Sequence, residues 1–332
     1  MTRRRVTREG LLDGMVNRRQ TDFSLHAGSN VLVYLVHGVT GTPAEMYFLA
    51  RELAKKNGWD IYATTLPGHC ARLKDLVRTT EQDWRAHVQH QLSFARDRYE
   101  YLFVAGLSAG ALLALEASTI IRTDGIGVLS PTFVYDGWNT PWSHTLLPLA
   151  MKTVPLPLQR FLFHRDGPPF GIKDEALRSV VREAYSPVAI LRDWIHDFRA
   201  RWTSNSDGAA PSTSASKGYP IFPLRTLSEI ERLIAWVRAR LRTVTAPTVI
   251  LQAREDDMTG PRNASIVFDE ISSPEKQLIL LDDCYHVITV DKQKEEVARS
   301  LTAFFGRQAA GQGERAVRQR SGYARPLIAL EE

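Results

Sequence analysis

Apolar positions along the chain fall into short dense runs, separated by longer stretches with helical spacing. The runs VLVYLVH (31–37), DIYATTL (60–66), YLFVAGL (101–107), GIGVLS (125–130), PTVILQA (247–253) and QLILLDD (277–283) are apolar at both odd and even positions. A strand covered on both faces needs that pattern, whereas a half-exposed strand alternates. The stretches between them predict helices. PAEMYFLARELAKKNG starts near Pro43 and is closed by Gly58, the usual asymmetry of helix start and stop. Thr79 with Gln82 predicts a capping box ahead of DWRAHVQHQLSFARDRY. AGALLALEASTI follows the run 101–107 directly, and KQKEEVARSLTAFFG closes the periodic part of the chain. Strands alternating with helices predict an α/β fold, with a mostly parallel central sheet and helices on both faces.

One interval breaks the rhythm. Between Pro131 and Ala246 no clear buried strand is visible, but aromatic residues are dense: Trp138, Trp142, Phe161, Phe163, Phe170, Trp194, Phe198, Trp202, Tyr219 and Phe222. Helical patterns occupy about 172–184 and 187–201, and TSNSDGAAPSTSASKG (203–218) has the small polar composition of a mobile segment. Residues 131–225 are therefore expected to form a mainly helical cap over the carboxyl edge of the sheet. The core is expected at 25–130 and 226–306. A helix at 227–244, with Leu227, Ile230, Ile234, Val237 and Leu241 on one stripe, predicts the return to that core. Residues 1–24 read as a basic extension, and 307–332 as a loosely held tail.

Composition adds limits. With 332 residues, 44% apolar and 24% charged, the chain has the make-up of a soluble globular protein. Its net charge of +5 concentrates at the two ends, where solvated, frayed termini or weak attachment to an anionic membrane are the readings. No basic stripe within a recognisable nucleic-acid module is present. The longest apolar run is too short to span a bilayer, and the basic N-terminus lacks the apolar core of a secretory signal. Two cysteines, Cys70 and Cys284, cannot form a disulfide framework, so a reducing, cytoplasmic setting is expected. No metal-ligand spacing, dinucleotide fingerprint or P-loop is visible, and no cofactor is expected.

Candidate chemistry centres on Gly106-Leu107-Ser108-Ala109-Gly110, a G-x-S-x-G pattern with a strand before it and a helix after it. That context is the nucleophile elbow, a strained turn that lifts the serine hydroxyl above the sheet. A serine needs a base and an orienting acid. Two downstream strands end in polar residues on the side where Ser108 emerges: Arg254-Glu255-Asp256-Asp257 and Cys284-Tyr285-His286. His286 is the candidate base. Asp256 is the candidate acid, with its neighbour Asp257 as the alternative; Asp282 and Asp283 read as turn or solvent-facing residues. The oxyanion donors would be the backbone N–H groups of Ala109 and of Val39 in HGVTGTP (37–43). His37 reads as a loop tether, and Thr40 as a loop or substrate contact.

The segments LVHGVTGTPAEM, LPGHC, VAGLSAGALLALE, PTVILQAREDDM and DDCYHVITVD together resemble bacterial carboxylesterases and monoacylglycerol-lipase-like enzymes of the α/β-hydrolase superfamily. The resemblance spans about 25–130 and 245–306. It implies Ser108 as nucleophile, Asp256 as acid, His286 as base, and Val39 and Ala109 as oxyanion donors. Cys70 departs from the pattern, since such enzymes often carry glycine there, and the cap is longer than in compact esterases. The function this implies is hydrolysis of carboxylic esters with hydrophobic acyl groups. Thioester hydrolysis, acyl transfer to an alcohol and amide cleavage would use the same triad. A non-catalytic binding protein on a hydrolase fold is the rival class, and the complete triad argues against it.

Overall fold

The computed structural model describes residues 21–140, 147–165, 167–186, 218–219 and 221–321. Its strands are β1 (Phe23–Leu25), β2 (Val31–Val36), β3 (Asp60–Ala63), β4 (Tyr101–Leu107), β5 (Gly125–Leu129), β6 (Phe163–Arg165), β7 (Ile221–Pro223), β8 (Thr248–Ala253) and β9 (Lys276–Leu281). Seven of them form one sheet in the order β1-β3-β2-β4-β5-β8-β9. Every pairing in it is parallel except that of β1 with β3. β6 and β7 make a separate antiparallel ribbon. The six dense apolar runs each hold a strand. β1, β6 and β7 have three residues apiece, too few for a period to show in the sequence.

The helices are α1 (Tyr47–Asn57), α2 (Leu73–Arg78), α3 (Glu81–Arg96), α4 (Ala109–Ser118), α5 (Leu147–Thr153), α6 (Leu156–Gln159), α7 (Glu175–Ala184), α8 (Leu224–Arg238), α9 (Arg262–Glu270) and α10 (Lys294–Ser321). They cover both faces of the sheet, and β2 shows why its sequence is apolar throughout. Leu32, Tyr34 and Val36 pack into one core with residues of α3, α4 and α8. Val31, Val33 and Leu35 pack into the other, with residues of α1 and α10. The predicted stripe of α8 follows the first pattern: Leu227, Ile230 and Val237 are buried in the core beneath it.

Three expectations change. The capping box before α3 is Thr80 with Asp83, not Thr79 with Gln82: Thr80 Oγ1 accepts from Asp83 N–H, and the Asp83 carboxylate accepts from Thr80 N–H. Thr79 instead ends α2, and its hydroxyl donates to Asp75 O at 2.8 Å. β9 is only partly buried, because it is an edge strand with one neighbour. Gly306 does not end the last helix; α10 runs on to Ser321, into the stretch read as a loose tail. The helix expected at 187–201 lies outside the described residues.

β2 leads to β3 on one side and β4 leads to β5 on the other, so the chain direction of the sheet switches between β2 and β4. In parallel sheets the crevice at such a switch, beyond the carboxyl ends, is where ligands bind. Here it is flanked by the loop after β2 and by the turn from β4 into α4.

Candidate active site

Ser108 sits at that turn, with φ 58° and ψ −122°, as the residue capping α4. A non-glycine residue in this region is strained, and such strain is held only where the surroundings over-determine it. The two glycines of the elbow supply the surroundings. A Cβ on Gly106 would lie 2.0 Å from Gly110 O, and one on Gly110 would lie 2.4 Å from Val36 O. The first lets the helix fold back onto its own strand; the second lets it cross β2. Ser108 N–H donates to Leu129 O on the next strand at 2.8 Å, which ties the turn to the sheet. Ala109 is the first residue of α4, where backbone N–H groups have no intrahelical partner and the helix end carries positive charge.

Asp256 follows β8 and is buried. Its Oδ1 accepts from the N–H groups of Met258 (2.8 Å) and Thr259 (2.7 Å), and its Oδ2 accepts from Gln252 Nε2 at 2.7 Å. These contacts leave its carboxylate facing His286 Nδ1 at 2.9 Å. With Nδ1–H donated to Asp256, Nε2 of the neutral ring keeps its lone pair and is the basic nitrogen. Asp257 takes a different task. Its Oδ2 accepts from Gly171 N–H at 3.0 Å and its Oδ1 from His286 N–H at 3.3 Å. Burial pushes the Asp257 carboxyl above the usual range, opposed by the nearby His286.

The loop after β2 lies against Ser108: a Cβ on Gly38 would be 3.4 Å from Ser108 Cβ. Two imidazoles hold it. His37 Nε2 accepts from Leu66 N–H at 3.1 Å and His69 Nε2 accepts from Thr40 N–H at 3.0 Å. Each ring's Nδ1 meets a carbonyl, Gly38 O for His37 and Pro67 O for His69. His37 is the tether its position suggests. Thr40 has φ 68°, so its own conformation depends on this bracing. Cys70, the departure from the family pattern, is buried with φ 50°; it occupies the left-handed region that explains why glycine suits the position.

Ser108, Val39, Ala109 and His286 line one cavity of about 460 Å³. The interval 131–225 contributes Tyr135, Phe170, Leu177, Val181 and Tyr185 to its walls, and the lining is mostly apolar. Of the aromatics noted in that interval, Phe170, Tyr219 and Phe222 face the cavity, whereas Trp138, Phe161 and Phe163 are at the surface. Trp142, Trp194, Phe198 and Trp202 lie outside the described residues.

Two polar groups of the site were not anticipated. Thr132 Oγ1 is 2.9 Å from Ser108 Oγ, and the two hydroxyls share a hydrogen bond. Thr132 follows β5, so the strand-end rule that found Asp256 and His286 reaches it too. Glu45 also lines the cavity, and burial raises its carboxyl to about 7, against the N–H groups of Gly38 and Thr42 that point at it. The sequence signal is Thr42-x-x-Glu45, a capping pattern. Between about 4.5 and about 7 the folded protein holds a proton on Glu45 that the unfolded chain has released. Stability therefore falls as pH rises through that window and stays lowered above it. Glu45→Gln removes this slope, so its Tm relative to wild type is expected to rise between about pH 5 and pH 8. Parallel melts at both ends of the range check it; a Tm difference constant with pH would refute it.

A mostly parallel sheet with an elbow serine at its switch point defines the α/β-hydrolase class. A family model described as the alpha/beta hydrolase family matches residues 33–300, and the chain belongs to that family. A thermostable monoacylglycerol lipase of Bacillus sp. (strain H-257) is 28% identical over 279 residues, covering 83% of this chain and 91% of that protein. A carboxylesterase of Bacillus subtilis (strain 168) is 25% identical over 278 residues, covering 83% and 93%. The crystal structure of a Paleococcus ferrophilus monoacylglycerol lipase superposes with a TM-score of 0.63, at 16% identity, over 86% of this chain and 98% of that one; this likeness is one of fold. No helix among the described residues is long and apolar enough to cross a membrane.

Proposed function

We propose that the protein is a serine hydrolase of carboxylic esters with hydrophobic acyl groups. The observation that carries this reading is the buried Asp256–His286 Nδ1 contact at 2.9 Å, with His286 and Ser108 lining the same cavity. In this reading His286 Nε2 takes the proton of Ser108 as its Oγ attacks the acyl carbonyl. Asp256 fixes the ring tautomer and stabilises the imidazolium. The N–H groups of Val39 and Ala109 receive the oxyanion, which is worth several kcal/mol when such donors are pre-aligned, about 3 kcal/mol for one. His286 then passes the proton to the leaving alcohol, and water releases the acid by the same steps in reverse. The apolar walls of the cavity favour an acyl chain over a charged group, and two relatives named for lipase and carboxylesterase activities support the substrate class.

A p-nitrophenyl ester series of increasing acyl length tests the reading. Turnover is expected to rise from acetyl to medium chains as the acyl group fills the cavity. A folded protein that turns over no ester in the series, but cleaves acyl thioesters, would replace this reading with the thioesterase one.

A further inference from the structure

The two aspartates after β8 divide the histidine between them. Asp256 meets the Nδ1 of its ring, and Asp257 meets its main-chain N–H. The second oxygen of Asp257 is spent 86 residues away, on Gly171 N–H. Gly171 O in turn accepts from Val287 N–H at 2.8 Å, so the two segments are joined in both directions. The approach is close: a Cβ on Gly171, at φ 71°, would lie 2.8 Å from Val287 Cγ2 and 3.1 Å from His286 Cβ.

Four residues beyond Val287, the same junction is clamped again. Asp291 is fully buried, and its carboxylate accepts from Lys173 and Asp174 on one side and from Tyr285 on the other, each at 2.8 Å. Lys173 Nζ reaches Glu255 at 2.7 Å and Asp283 at 2.9 Å, one residue before Asp256 and three before His286. Asp174 then caps α7, accepting from Leu177 N–H at 2.9 Å. α7 carries Leu177, Val180 and Val181 into the cavity wall. Its amino-terminal end is thus fixed to the loops of both the candidate acid and the candidate base.

We infer that Asp257 is a positioning residue that couples the root of α7 to His286, so that the cavity wall and the base loop hold or shift together. The inference rests on the reading of His286 as the base only for its effect on rate. Two N–H groups held by one carboxylate open in one event, which gives a measurement independent of catalysis. Native-state hydrogen exchange on the wild-type protein is expected to give Gly171 and His286 amides the same protection, within about threefold, across added denaturant. Asp257→Asn keeps the shape but sets an amide NH₂ against an N–H donor. It is expected to speed exchange at both amides and leave those of β4 and β8 unchanged. For p-nitrophenyl acetate it is expected to lower kcat by about 10–100-fold with KM within threefold, as a misplaced base does. Protection of the two amides differing by more than about tenfold in wild type would overturn the coupling, as would a folded Asp257→Asn protein with wild-type kcat. If wild type hydrolyses no ester, the proposed function fails, while the exchange result still decides the coupling.

Discussion

Ser108→Ala is expected to lower kcat/KM for a medium-chain p-nitrophenyl ester by about 10⁵-fold or more, leaving the protein folded. The size follows from what remains. Without the hydroxyl no acyl-enzyme forms, and His286 and Asp256 have no nucleophile to activate. Only binding and the oxyanion donors persist, which in such sites leave about 10³–10⁴-fold over the uncatalysed reaction. The cost in stability should be small. Ser108 Oγ has Thr132 as its hydrogen-bond partner, and losing one such bond costs about 1 kcal/mol. Its backbone bond to Leu129 O is untouched by the substitution, and alanine pays the same steric cost as serine at φ 58°. Steady-state rates and a thermal melt of both proteins decide the matter. A fluorophosphonate probe should label wild type and not the variant. A variant that keeps the wild-type rate would remove Ser108 from the nucleophile's role.

The elbow was legible in the sequence because its constraints are local. Two glycines, a serine, an apolar run before and helix formers after all lie within 101–118, and the close contacts that demand the glycines are made by the turn itself and the adjacent strand. The sheet was legible because its central strands are covered on both faces. Local rules fall short where they tie or stop. Thr79 and Thr80 are both able to cap, and only the contact of Thr79 with Asp75 O reserves it for the preceding helix. Asp256 and Asp257 are equivalent in composition. What separates them is that Met258, Thr259 and Gln252 turn one carboxylate toward the imidazole, while Gly171 draws the other away. Contacts of that second kind, from a side chain to a backbone group far along the chain, leave no period or motif. Thr132 was missed for a plainer reason: its hydroxyl matters through its distance to Ser108, which a strand end suggests but does not fix.

That division of labour gives the second large effect. Asp256→Asn is expected to lower kcat by about 10⁴-fold, at least 100 times the loss expected from Asp257→Asn. An asparagine can keep its oxygen toward Met258 and Thr259 N–H, as Oδ1 does now. Its NH₂ then replaces Oδ2, facing Gln252 Nε2 and His286 Nδ1, which are both donors in the wild-type arrangement. The imidazole escapes the clash by moving its proton to Nε2 and accepting the new N–H at Nδ1. The ring then presents a donor where the serine needs an acceptor, so the base is lost although the geometry survives. A charged ring cannot form either, because the carboxylate that would stabilise it is gone. Tm should fall by a few degrees, consistent with one disturbed contact to Gln252 of about 1–2 kcal/mol. The diagnostic is recovery at high pH: hydroxide deprotonating Ser108 without the base should make the variant's rate climb with pH where wild type is level. If Asp257→Asn gave the 10⁴-fold loss and Asp256→Asn the smaller one, the roles of the two aspartates would be exchanged.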